Sequence, residues 1–168
     1  MIDPKLYQTM AVYNGWMTDK LYATCAQISD VERKTDKGAF FKSIHSTLNH
    51  ILFADRAWMT RFSSQVYEHK GMGVDNYSSF EDLRTAHLEM AGDIEAWAND
   101  LSPDWLSRDL TWTSSDGTRT TTRPSWVLVT HMFNHQTHHR GQIGTLLSQM
   151  GHDIGVTDLP FMPAFTAS

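Results

Sequence analysis

Apolar residues recur at three- and four-residue intervals through four long stretches of this chain, and that period is the period of a helix with one buried face. Leu6, Met10, Tyr13, Met17 and Leu21 mark the first stretch. Asp3 and Pro4 precede it as a capping residue and a first-turn residue, so a helix is expected from there to about residues 25–28. The polar segment 29–38 reads as a connection. Ile44, Leu48, Ile51, Met59 and Phe62 predict a second helix over about 39–62. After a loop with two glycines, Ser78 and Glu81 have the spacing of a capping box. They open a third helix carrying Leu83, Leu88, Ile94 and Trp97 and ending near Leu101. Ser102-Pro103 restarts a short helical turn.

The period then changes. Threonine-rich runs on either side of Ser115-Asp116-Gly117 predict a β-hairpin over 109–123, because Asp-Gly between β-prone runs favours a tight turn. Pro124-Ser125 opens a last helix that runs to about Met150 and stops at Gly151. The tail beyond it is expected to pack as an extended strap. The expectation is thus an all-α chain with a small β-hairpin insert before the last helix. At 168 residues it fits one domain, 1–168.

Composition narrows the function classes. Hydrophobic residues at 40% and charged residues at 20% argue against disorder. A formal charge of −5 and the lack of a Lys/Arg cluster argue against nucleic acid as a partner. No apolar run reaches the ~18 residues of a membrane span, and the N-terminus has no basic-then-apolar pattern, so a cytoplasmic protein with no membrane contact is expected. One cysteine, Cys25, leaves no intramolecular disulfide and no thiolate-rich metal site.

Histidine is the unusual count: nine in all, with His131, His135, His138 and His139 inside nine residues. Residues four apart stack on a helix, so His131/His135 and His135/His139 are candidate pairs for one metal ion. A wheel at about 100° per residue separates them. With Val127 at zero, Leu128, Met132, Ile143, Leu146 and Met150 fall between about 100° and 160°, and His135 and His139 fall at about 80° and 120°. His131, His138 and Gln142 lie on one flank, and Arg140 points away at about 220°, toward another helix or the tail. Gly141 is expected to permit close approach of a neighbouring helix. A lone histidine on an apolar face is ordinarily a hydrogen-bonded core residue. Two stacked imidazoles need partners for both rings, and a metal ion serves both. No Glu follows His131 or His135, so the zincin-type base is absent. A third ligand is needed, and His45, His50, His87, Asp55 and Cys25 are the candidates. Periodicity does not choose between His50 and Asp55.

Two segments resemble a known family. They are Leu48-Asn49-His50-Ile51-Leu52-Phe53-Ala54-Asp55-Arg56-Ala57-Trp58, followed by Arg61-Phe62, and His131-Met132-Phe133-Asn134-His135-Gln136-Thr137-His138-His139-Arg140-Gly141-Gln142. With the glycine-centred hairpin near Gly117, the closing Gly151 and Asp158-Leu159, the chain resembles the DinB family, the DinB/YfiT-like metalloenzymes, over nearly its whole length. The resemblance implies a four-helix bundle, often a homodimer. It implies a divalent metal held by three histidines, one from the second helix and two from the last: His50, His135 and His139 here. Asp55 then takes a structural role, pairing with Arg56, Arg61 or a helix partner.

Zn²⁺ or Ni²⁺ is the first expectation for the ion, with Fe, Cu or Mn also suited to imidazole ligands. An open three-histidine site can lower the pKa of a bound water or hold a thiolate. Family resemblance implies a thiol S-transferase joining a low-molecular-weight thiol to an electrophilic or toxic small molecule. The alternatives are a metal-dependent hydrolase, with His131, His138 or Gln142 flanking the ion, and a non-catalytic, stress-responsive metal-binding protein. Trp58 and Trp126 stand nearest the ligand helices.

Overall fold

A computed structural model describes residues 2–114 and 117–166. The chain is mostly helical with one small antiparallel hairpin. Its elements are α1 (Pro4–Cys25), α2 (Asp30–Lys34), α3 (Ile44–Phe62), α4 (Phe80–Asn99), α5 (Pro103–Ser107), β1 (Asp109–Thr113), β2 (Thr120–Pro124) and α6 (Ser125–Gln149), followed by a 3₁₀ turn (Leu159–Phe161) and α7 (Pro163–Thr166). Among the described residues, no helix is long and apolar enough to cross a membrane.

Short polar side chains set the helix starts. Asp3, Ser29, Ser43, Ser79 and Ser102 each accept a backbone N–H in the first turn of the helix that follows. This shifts two expected boundaries. The second long helix starts at Ile44, not near residue 39, because Ser43 caps it and Lys42 just before has φ 67°. The third is capped by Ser79, whose Oγ accepts from Asp82 N at 3.2 Å, so Ser78 and Glu81 form no capping box. The capping box is instead at Ser29 and Glu32, where it opens the short α2 inside the expected connection. There Arg33 Nη1 donates to the Cys25 carbonyl at 2.9 Å, satisfying a free acceptor at the end of α1. The tail also departs from an extended strap, since it closes with two short helical turns.

Four long helices carry the core. α1 packs on α4 and α6, and α3 packs on the same two. Tyr22, Leu48, Leu52, Met59, Leu83, Ile94, Met132, Ile143 and Leu147 are among the side chains lost entirely from solvent between them. Each such aliphatic group contributes about 1.5–3 kcal/mol over its exposed state. The buried arc of α6 is wider than the wheel drew it, because Val129, Phe133 and Leu147 are buried as well. Gln136 and Arg140 therefore lie inside the core.

Asp109–Thr113 pairs with Thr120–Pro124, as the threonine runs predict. Thr111 and Thr122 bond across the strands at 2.7 Å, and Thr113 and Thr120 at 3.1 Å. Ser115 and Asp116 of the expected turn lie outside the described residues. Gly151 has φ 84° and ends α6, with His152 N donating to the Leu147 carbonyl at 2.9 Å. Gly141 does not serve close helix packing, since a Cβ there would meet nothing within 4 Å; Gly144 makes room for the chain beyond α6 instead, with Ile154 Cδ1 3.2 Å from its Cβ position.

Candidate metal centre

Three contacts between α3 and α6 show that the two helices run antiparallel. Trp58 meets His131 edge-on at 5.3 Å between ring centres. Asp55 accepts from Gln136 Nε2 at 2.9 Å. One turn further, His50 faces His135 and His139. This register brings one histidine of α3 against an i, i+4 pair of α6.

The three rings converge on their Nε2 atoms. His135 Nε2 lies 3.0 Å from His50 Nε2 and 3.1 Å from His139 Nε2, and the three possible ligand atoms all lie within 4.8 Å of one another. Two nitrogens about 2.1 Å from one ion stand about 3.0 Å apart at right angles and about 3.4 Å apart at the tetrahedral angle. The observed spacings lie at the right-angle end of that range. This triad could hold a divalent metal ion.

Tautomers make the case stronger. His139 Nδ1 donates to Gln142 Oε1 at 2.7 Å, so the proton of the neutral ring is on Nδ1 and Nε2 is a bare lone pair. His135 Nε2 must then supply the proton for its contact with His139. It cannot also accept one from His50. No neutral tautomer gives both contacts a donor of their own. Protonation offers little relief, because burial pulls all three rings below the ordinary imidazole range. His135 falls to about 3 and His50 to about 4, with neighbouring histidines adding to the burial effect. His139 is lowered by burial as well, against an opposing contribution from its bond to Gln142. With the His135 proton carried on Nδ1, three neutral imidazoles would aim lone pairs at one point, an arrangement that a divalent cation could satisfy.

The surroundings fix the rings unequally. Gln142 orients His139, the arrangement that tunes metal-binding histidines generally. His50 and His135 have no protein partner for their buried Nδ1 atoms. His50 is held by stacking instead: the Phe41 ring lies 3.8 Å from it, centre to centre, at an interplanar angle of 20°. Beside His50 opens a cleft of about 340 Å³ walled by Phe41, Phe53, Met72 and Val74, with Ser46 and Asp75 at its rim.

The other candidates have other partners. His45 Nε2 bonds the Tyr77 carbonyl at 2.8 Å. His87 Nδ1 is 2.9 Å from the Tyr22 hydroxyl, and its Nε2 is 3.9 Å from Asp55. Cys25 is fully buried, with its thiol pushed up to about 12 by desolvation. Asp55 does not point at the triad. It is 1% exposed, and its helix partner is Gln136. Arg56 bonds the Glu68 carbonyl and the Tyr77 hydroxyl instead, and Arg61 the Ala57 carbonyl. Burial pushes the Asp55 carboxyl up to about 7. His131 and His138 are exposed on the flank, and Trp126 is 42% exposed. Phe41 carried no signal in the sequence, because it lies in a turn where periodicity says nothing.

A family model, that of the DinB family, matches residues 1–167. The chain belongs to the DinB family. No curated protein matches it. The two segments that carry the resemblance in this DinB chain are the two that meet at the triad. Both His50 and the His135/His139 pair lie within the matched span.

Proposed function

We propose that this DinB protein is a metal-dependent enzyme whose divalent ion, Zn²⁺ or Ni²⁺ first, is held by His50, His135 and His139. Its proposed activity is transfer of a small thiol to an electrophilic carbon. The observation that carries the reading is the convergence of three neutral Nε2 atoms that cannot satisfy one another. The ring of contacts among α1, α3, α4 and α6 supports a four-helix bundle as the frame. A bound divalent cation supplies Lewis acidity, which lowers the pKa of a thiol or water at an open position.

The chain's own residues do the rest. Gln142 holds the His139 lone pair on the site. Phe41 keeps the His50 ring in its plane. Phe53, Met72 and Val74 give the adjoining cleft apolar walls that fit an apolar electrophile better than a charged one. In the reaction the thiol loses its proton, its sulfur bonds to the electrophilic carbon, and the leaving group departs with the electron pair of the broken bond.

The test combines elemental analysis with turnover. Metal-loaded wild type is assayed against a panel of small thiols and a halogenated aromatic electrophile, beside His139→Ala. About one metal ion per chain and a thiol-dependent rate, both lost in His139→Ala, are expected. A wild type that takes up no metal, or equal rates in the two proteins, would overturn the reading. A rate that persists without thiol would assign hydrolysis instead.

A further inference from the structure

On the far side of α6 from the histidines, a second cleft of about 300 Å³ runs between α1, α6 and the chain that follows α6. Arg140 lines it. That residue is 6% exposed, yet no carboxylate comes within 4.0 Å of its guanidinium among the described residues. Its neighbours are neutral. Nη1 donates to Asn14 Oδ1 at 2.5 Å, Nη2 donates to Thr137 Oγ1 at 3.1 Å, and the Tyr13 ring lies 5.5 Å away. Two of five N–H donors are thus engaged, and the Asp55 carboxylate acts on the charge only from a distance, without a direct bond. Burying an unpaired cation is costly, and proteins ordinarily place a counter-charge beside it.

The cleft beside Arg140 is open, and its wall is mostly apolar, with Tyr13, Met17 and Ile154 among the lining side chains. Thr137, Ser148 and His152 contribute to its wall. Gly141 leaves its volume free, since a Cβ there would meet no atom within 4 Å. A second cation stands at the other end: Lys20 Nζ is 3.6 Å from the Cβ position of Gly155, which also lines the cleft, and donates to the Val156 carbonyl at 2.5 Å. The one acidic group on the wall, Asp153, accepts the Gly155 N–H at 2.8 Å.

We propose that this cleft is a second binding site, separate from the histidine triad, for a small organic anion whose carboxylate or phosphate head group pairs with Arg140. The site is large enough for a compact metabolite-sized molecule and too small for a polymer. Ser148 offers a hydroxyl donor on the cleft wall, whereas the Thr137 hydroxyl already donates to the Phe133 carbonyl, and Lys20 beside Gly155 adds positive potential.

Thermal unfolding of the full chain in chelator, with inorganic phosphate or succinate against sodium chloride of matched ionic strength, tests this. The key variant is Gly141→Leu, which fills the cleft and leaves Arg140 in place; its added side chain begins in open space. An anion at about ten times its Kd should raise the wild-type Tm by about 4 °C over the chloride control. His139→Ala should show the same rise and Gly141→Leu should lose it. The better of the two anions identifies the head group. No rise over chloride with either anion, or an equal rise in Gly141→Leu, would overturn the proposal.

Discussion

Asp55→Asn should make this protein more stable, and by an amount that depends on pH. Asp55 is 1% exposed, and its partner Gln136 donates to it from Nε2 at 2.9 Å. No guanidinium or ammonium bonds it, the Arg140 charge opposes burial only from a distance and less than the Gln136 bond does, and the nearby His87 is itself held neutral, its imidazole lowered to about 3 chiefly by burial. Desolvation therefore dominates and lifts the carboxyl from about 4 in the unfolded chain to about 7 in the fold. A group whose pKa is raised by folding binds more protons in the native state between those two values. Its contribution is most favourable below about pH 4, declines as pH rises, and levels off above about pH 7. At about 1.4 kcal/mol per pH unit the whole loss is about 4 kcal/mol, an upper value because a relaxing interior admits some solvation.

Asparagine keeps the acceptor for Gln136 Nε2 and carries no charge at any pH. It also brings a donor to a site where Gln136 Oε1 is buried without a partner. Urea denaturation in chelator at pH 5, 6, 7 and 8 measures the difference between the two proteins. The variant's advantage should grow steadily from pH 5 to about pH 7 and reach about 2–4 kcal/mol at pH 8. A difference that stays flat across that range would refute the reasoning. A loss of stability at pH 8 would show that the carboxylate is preferred in place.

Gln142→Ala removes the acceptor for His139 Nδ1 and frees the ring to rotate or change tautomer. Metal affinity should fall about ten- to hundredfold in a competition titration, while the unfolding midpoint of metal-free protein barely moves. Arg140→Ala should do the reverse. It strips α1 of its bond from Arg140 to Asn14, whose side chain is buried, and should cost about 2–4 kcal/mol in urea, with metal affinity altered less than in Gln142→Ala.

The elements were legible in the sequence because helical periodicity, a serine or aspartate cap and a glycine stop act locally. Pro4, the apolar stripes of α3 and α4, the threonine hairpin and Gly151 all needed only their neighbours. The His135/His139 pair was legible for the same reason. Its third partner was not: His50 and Asp55 differ by five residues on one helix, and choosing between them requires the antiparallel register of α3 on α6, which no single segment encodes. Arg140 was legible as a residue turned from the triad toward another helix, and it bonds Asn14 of α1, but its burial and that of Gln136 were not legible. The apolar arc of α6 read from Leu128, Met132, Ile143, Leu146 and Met150 stops short of both polar residues, and including Val129, Phe133 and Leu147 turns its centre toward them. Phe41 depends on a turn stabilised by Lys42 at φ 67°, a conformation that Lys does not announce.

The histidine triad differs in kind from the polar groups that surround it. Asp55 has Gln136, His87 has Tyr22, and Arg140 has Asn14 and Thr137, so each of these three buried side chains bonds at least one partner on the protein itself. At His50, His135 and His139 the same accounting fails by one proton, whichever neutral tautomers are chosen. Three rings with no hydrogen-bonding solution among themselves point to a reason outside folding for keeping those residues there. The conflict is also directional: three lone pairs face one another beside an apolar cleft, at the edge of the core where the α3 and α6 side chains meet solvent. A hydrogen-bonded core has no use for that arrangement, and a cation held by the three rings would account for it.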